Sequence, residues 1–278
     1  MESSRCIISL ATRDKCYSDA LGRLRASVIR SGFSGELMFW PPGRFPDGCP
    51  PHLDVPFAFK PYAFREALSC GKELVLWLDS ACVVVRKLDS LFKAIAEQGY
   101  VLFGNQNYTV GEWASDAALK RFDLSRERAM SIREVNAAAV GLNMGNPTAL
   151  EFLAQWYEAA REGLAFRGVP EALGGPEDYA AVKGNRGNKV SADPRVRGHR
   201  HDQTVAGLLA HRLGMKLTAS GIQTYSRRLR YIGWRTVIVV DRNLPLDPAE
   251  LTRLERVRRD KYVGAFVQLV RRLRHGRS

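Results

Sequence analysis

The chain is short of acids, of paired cysteines and of long apolar runs, and each shortage excludes something. No segment approaches the ~20 consecutive apolar residues that a membrane-spanning helix requires, so a helical span is not expected. Five cysteines stand at 6, 16, 49, 70 and 82. They are odd in number and form no C-x-x-C, which argues against a disulfide framework or a structural zinc site. The opening MESSRCIISLATRD lacks the charged-then-apolar order of a secretory leader, and the expected location is a reducing cytoplasm. Asp and Glu number 29 against 42 Lys and Arg, a formal charge of +13. That surplus favours an anionic partner: nucleic acid, an anionic lipid surface, or a small polyanion such as a nucleoside diphosphate. No nucleic acid is expected, because the charge gathers in one loop and the tail instead of lining an aromatic-bearing surface.

What is present is an α/β pattern. CIISLAT (6–12) reads as a first strand and residues 17–30 as a helix, with Leu21, Leu24, Val28 and Ile29 at helical spacing. ELMFW (36–40) is a strand stopped by Pro41-Pro42, and a Pro/Gly-rich loop follows to Pro56. KPYAFREALSCG (60–71) suits a helix with proline in its first turn. Then come a strand at 73–79, a helix at 88–99, a strand at 100–104, a strong helix at 148–163, a helix at 202–215 and a late strand at 236–241. Helices alternating with apolar strands imply a mostly parallel central sheet with flanking helices, in a domain spanning 1–248. Residues 168–200 form a long polar loop. From 249 onward, nine Lys/Arg stand against three acids, with Val263, Phe266, Val267, Val270 and Leu273 as an apolar stripe. Residues 249–278 read as a basic amphipathic helix, either docked on the core or lying on an anionic membrane as a peripheral anchor.

One residue interrupts the apolar runs around 74–85. Asp79 ends a core strand, and in parallel sheets ligands sit beyond the carboxyl ends of the strands. Residues two apart in an extended chain face the same way, so a D-x-D there aims two carboxylates at one spot and helps hold a hard cation against a diphosphate. Here the run is Asp79-Ser80-Ala81, a methyl in place of the second acid. Read alone, Asp79 is equally a strand-end acid capping a turn.

FKPYAFREAL…ELVLWLDSACVVVRKLDSLF resembles the core of glycosyltransferases of the GT-A fold, enzymes that use nucleoside-diphosphate sugars. VNAAAVGLNMGNPTALEFLAQW (135–156), HRHDQTVAGLLAHRLGM (199–215) and YTVGEWASDAAL (108–119) are similar to later segments of that family in the same order. The resemblance implies a UDP-sugar-type donor, a hydroxyl acceptor on a glycan or lipid-linked glycan, and hexosyl transfer. It implies that Ala11, Thr12 and Asp14 cradle the nucleotide, and that Asp79, with Ser80 and Ala81, contacts the donor and its Mn or Mg ion. Asn136 and Gln203 would touch the donor sugar, and Lys60 or Arg65 would neutralise the diphosphate. Asp202 or Asp116 would serve the acceptor as acid or base, with Glu112 and Trp113 nearby. With an alanine at 81, either His199 or His201 completes a metal shell with Asp79, or the basic loop (Lys183, Arg186, Lys189, Arg195, Arg197, Arg200) supplies the charge.

Plainer readings stand beside these. Asp202 and Asp116 each begin a helix and would serve as caps. A histidine is commonly structural, Trp113 would be buried, and Cys82 belongs in the core. The alternative to an active transferase is a non-catalytic relative that binds sugar nucleotide or a protein partner.

Overall fold

The computed structural model describes residues 4–12, 15–169, 190–224 and 235–241. Asp14, Lys183, Arg186, Lys189 and the basic tail expected at 249–278 lie outside the described residues.

The chain runs β1 (Arg5–Leu10), α1 (Lys15–Arg30), β2 (Glu36–Trp40), α2 (Phe59–Ser69), β3 (Leu74–Leu78), β4 (Cys82–Val84), α3 (Asp89–Gln98) and β5 (Tyr100–Thr109). After a 3₁₀ turn at Val110–Glu112 come α4 (Asp116–Arg121), α5 (Arg126–Met130), β6 (Arg133–Asn143), α6 (Pro147–Glu162) and α7 (Leu164–Arg167). The last described elements are α8 (His201–Arg212), β7 (Leu217–Thr218), β8 (Ile222–Thr224) and β9 (Ile238–Val240). Among the described residues no helix is long and apolar enough to cross a membrane.

Six strands form the main sheet in the order β2-β1-β3-β6-β5-β7. Three of its five pairings are parallel, as expected of the alternating pattern; β6 is reversed against both β3 and β5. The reversal follows from the connection. β5 and β6 are joined at one end by α4 and α5, with no helix crossing the sheet to return the chain to the other end. A smaller sheet, β4-β9-β8, lies beside it.

Period-two alternation splits the side chains into two cores. Cys6, Ile8 and Leu10 of β1 with Val75 and Trp77 of β3 pack under α2, α6 and α8. Ile7 and Leu74, Leu76 and Leu78 face the other way, against α1 and α3. Since α1 and α2 lie on opposite faces, the strand order reverses between β1 and β3, which is where open α/β sheets form a ligand crevice. By the same parity, residue 79 belongs to the face of Val75 and Trp77, beneath α2 and α8.

Gly141, near the end of β6, admits Ile95 of α3: a Cβ there would lie 2.5 Å from the Ile95 Cδ1. Gly141→Val is expected to destabilise the fold by about 1–3 kcal/mol through overpacking. Adding Ile95→Ala should return part of that loss. Chemical denaturation of the single and double variants measures it; strictly additive losses would refute the contact.

Candidate functional site around Asp79

Asp79 sits at the carboxyl end of β3, its N–H donating to the Ala138 carbonyl at 2.8 Å. The chain then turns, with the Cys82 N–H donating to the Asp79 carbonyl at 2.8 Å. This turn corrects the extended-chain expectation for Asp79-Ser80-Ala81: the i, i+2 rule does not apply across it, and Ser80 is buried. Cys82 begins β4 and is fully buried, as a core residue should be.

Behind Asp79 lies Lys60, in the first turn of α2. Its ammonium contacts Asp79 Oδ1 at 2.9 Å and Asp202 Oδ2 at 2.7 Å, and donates to the Ala137 carbonyl at 2.9 Å. The ammonium thus faces three oxygens, one in a hydrogen bond and two as ion pairs, and the Lys60 side chain is only 3% exposed. The rings of Phe57 and Trp77 lie 5.4 and 5.6 Å from the nitrogen, adding cation–π attraction in a desolvated setting. Lys60, expected at the diphosphate, faces two carboxylates of the protein. Burial alone would depress the ammonium, but Asp202 and Asp79 outweigh it and hold its pKa above the ordinary lysine value.

The two acids differ. Asp202, the second residue of α8, is 6% exposed at its side chain, while Asp79 keeps 31%. Burial pushes the Asp202 carboxyl up to about 6, Lys60 pulling it down and Asp79 pushing it further up. Asp202 is not the cap of α8, a position held by Arg200 with no side-chain capping bond. Asp79 Oδ1 also accepts from Trp77 Nε1 at 2.7 Å, so both close contacts fall on Oδ1. Trp77 was missed in the sequence; the parity of 77 and 79 on one strand was the available signal.

β6 supplies the floor. On β5, Leu102 and Phe103 pair with Val140 and Asn136, so Ala137, Ala138 and Ala139 bulge out of the ladder. Asn136 Oδ1 accepts from the Ala138 N–H at 3.1 Å and Gln203 Oε1 from the Ala137 N–H at 3.3 Å. The two amides expected at a donor sugar thus support the bulge whose carbonyls engage Lys60, Asp79 and the Cys82 thiol. Beside Gln203, fully buried Glu134 takes Arg200 Nη1 at 2.6 Å and Asn105 Nδ2 at 2.8 Å. Burial raises the Glu134 pKa and Arg200 opposes it. Arg200 lies 3.7 Å from the Trp113 centroid and 4.6 Å from that of Tyr108, which covers one face of the tryptophan expected to stack on a sugar.

Both histidines bond to the backbone. Ser115 N–H donates to His199 Nδ1 at 3.2 Å, and His199 Nε2 meets the Ala165 carbonyl at 2.9 Å. Both His199 ring nitrogens thus have backbone partners. His201 Nδ1 meets the Phe166 carbonyl at 2.7 Å. Burial pushes both rings down, to about 3 and about 4, so both are neutral at pH 7. His201 (φ 47°) and Phe57 (φ 63°) hold left-handed conformations, and their rings lie 5.7 Å apart. Each such residue stores about 1–3 kcal/mol, and such strain concentrates at functional sites.

The remaining expected residues scatter. Arg65 is exposed and lies 4.1 Å from the Tyr157 ring centroid, on the outer side of α2. Ala11 is fully buried in the core and Thr12 is half-buried just beyond β1. Asp116 is 61% exposed at its side chain and bound to Arg126 at 2.6 Å, its Oδ1 also accepting from the Ser191 hydroxyl at 2.8 Å; the cap of α4 is Ser115. The described arginines of the basic loop all face acids: Arg195 pairs with Glu127 and Asp193, Arg197 with Glu112 and Arg200 with Glu134. Among the described residues no cluster of three or more His, Cys, Asp and Glu forms a metal cage. Asp79 is the outward carboxylate. That fits a cation held jointly by one carboxylate, water and a ligand's own phosphates, as magnesium commonly is.

No protein-family model matches the chain, and no curated protein matches it by sequence. Solved structures similar to it include a glycosyltransferase involved in glycosylation of the major capsid of PBCV-1, 12% identical over 85% of this chain and 93% of that one, TM-score 0.44. Mouse xyloside xylosyltransferase 1 is 11% identical over 87% and 98%, TM-score 0.47. The galactosyltransferase LgtC, bound to donor and acceptor sugar analogs, is 12% identical over 88% of each chain, TM-score 0.42. At such identities and scores, the strand order and side-chain geometry of this chain carry the weight.

Lys60→Met is expected to cost about 3–5 kcal/mol at pH 7.5, the scale of breaking a buried ion pair. Without the ammonium, the Asp202 pKa rises further above its unfolded value. A group raised on folding contributes stability at low pH that is lost as pH climbs through the folded pKa. The variant should therefore gain stability between pH 7.5 and 5 relative to the parent. Urea unfolding at both pH values measures this, and a pH-independent difference would refute the pairing.

Proposed function

We propose that this chain is a GT-A-type glycosyltransferase that binds a nucleoside-diphosphate sugar beyond β1 and β3 and transfers the sugar to a hydroxyl of a glycan or lipid-linked acceptor. The observation that carries the reading is the state of Asp79, a half-open carboxylate at the strand-order switch, braced from behind by Lys60 and Trp77. The ordered segments around residues 60–92, 108–119, 135–156 and 199–215 support it, since the structure gathers Lys60, Asp79, Asn136, Asp202 and Gln203 around one bulge.

In this mechanism Asp79 Oδ2 meets the donor, and the brace fixes its direction before the donor arrives, so little reorganisation accompanies the reaction. Asp202 acts as a positioning residue: 6% exposed and facing Lys60, it holds the ammonium that holds Asp79. The described loop arginines already face acids, and Asp79 would hold a Mg or Mn ion together with the donor's own phosphates. That ion, when bound, offsets the negative charge that develops on the leaving group. The Asn136–Ala139 bulge supplies a floor of small side chains and fixed backbone dipoles.

The test is calorimetry with uridine, guanosine and cytidine diphosphates, with manganese and with chelator, followed by donor hydrolysis and transfer assays. One nucleotide should bind in the presence of manganese, at least tenfold more weakly with chelator, and Asp79→Asn should remove that binding while leaving thermal stability within a few degrees of the parent. Binding without turnover on any acceptor would favour the non-catalytic alternative. Absence of nucleotide binding under all conditions would overturn both.

A further inference from the structure

The strand β6 extends past the tip of β3. Leu78 pairs with Ala139, and the Asp79 N–H bonds the Ala138 carbonyl, so residues 133–137 run on beyond the carboxyl end of β3, on the side of the Asp79 crevice. Glu134 lies there, four residues before Ala138 and so roughly 13 Å away at most, given the rise of a strand. Up to the bulge it shares a strand face with Asn136. Glu134 is fully buried, and a buried carboxylate is costly unless its charge is compensated. The mechanism proposed for Asp79 gives it no task.

Its charged partner is Arg200, two residues before the Asp202 that meets Lys60 behind Asp79. The guanidinium lies 3.7 Å from the Trp113 centroid and 4.6 Å from that of Tyr108, and Nη1 donates to Glu134 Oε2 at 2.6 Å. The main chain is fixed too. The Arg200 N–H donates to the Trp113 carbonyl at 3.2 Å, and the Thr204 hydroxyl donates to the same carbonyl at 2.6 Å. Nε and Nη2 make no hydrogen bond among the described residues, and the side chain keeps 26% exposure. Two rings and one acid therefore hold a guanidinium whose other edge is open. Such an edge presents two parallel N–H donors, the geometry that a carboxylate or a phosphate takes up in pairs. Fixing it in advance lowers the entropy cost of binding.

Local charge separates those two anions. Glu134 offsets Arg200, and Glu112 lies 3.2 Å from Arg197, the other arginine near the Tyr108 ring. The cluster has no surplus with which to hold a dianion. What it offers is an oriented fork, which suits a single carboxylate. The length of β6 between Glu134 and Ala138 is one that a mono- or disaccharide spans.

We propose that the open edge of Arg200 receives a carboxylate of the acceptor, which makes the acceptor an acidic glycan carrying a uronic acid. Glu134 is the positioning residue that fixes the guanidinium. This assignment rests on the transferase reading, since it takes the Asp79 crevice to hold the donor.

The probes are methyl glucuronoside and methyl galacturonoside, titrated into the full chain and followed by NMR, with their methyl esters and glucose 6-phosphate for comparison. One uronate should bind at least fivefold more tightly than its ester and than glucose 6-phosphate. Arg200→Gln combined with Glu134→Gln removes both charges at once and leaves no buried ion alone; it should bring that uronate to within twofold of its ester. Arg121→Gln, the loss of a paired arginine on α4, should leave the preference within twofold of the parent. Should the double variant melt early, Arg200→Lys replaces it, keeping the charge and losing the fork, with at least a threefold loss of preference expected. Equal affinity for uronate and ester in the parent would overturn the proposal, as would equal or tighter binding of glucose 6-phosphate, or a preference that survives in the Arg200 variants. Calorimetry of the parent with uridine, guanosine and cytidine diphosphates and magnesium keeps the two readings apart. Nucleotide binding without a uronate preference sinks the carboxylate assignment alone, and a uronate preference without nucleotide binding sinks the transferase reading.

Discussion

A single ammonium organises this molecule. Lys60 is buried between two carboxylates and a carbonyl. A buried lysine is costly unless its charge is compensated, and here two carboxylates lie within 2.9 Å of it. A buried Asp202 is costly for the same reason, so each ion sets the condition for the other. The pair joins the first turn of α2 to the first turn of α8 across the tip of β3, tying together three elements from distant parts of the chain. Asp79 is the member of the group left partly in solvent.

The strand β6 makes that geometry possible. Its reversal against β3 brings the Asn136–Ala139 segment to the carboxyl end of β3, where its carbonyls meet Asp79 and Lys60. The bulge turns backbone groups out of the ladder toward side chains, and Asn136 and Gln203 satisfy the N–H groups this frees. Buried backbone groups need partners, so the amides are as much a requirement of the bulge as a feature of a site.

Electrostatics are distributed unlike a simple basic protein. The site itself carries two acids against one lysine, and the described loop arginines are matched with Glu112, Glu127, Asp193 and Glu134. Formal charge summed over a sequence therefore says little about which surface meets an anion; local pairing decides.

Much of this was legible in the sequence. The runs at 36–40, 74–78 and 100–104 and the helices near 60–69, 148–162 and 202–212 followed from periodicity and from Gly and Pro punctuation, because those signals are local. Asp79 stood out because a charge at the end of an apolar run has few bland explanations. The sequence by itself determined the alternation of elements, the two-faced strands and the strand-tip acid. Only tertiary structure decided that Lys60 meets Asp202, that His199 and His201 bond backbone carbonyls, that Arg65 faces outward and that β6 runs backwards. Each of these depends on groups far apart along the chain, and the energy of pairing buried charges exists only once the fold has removed them from water.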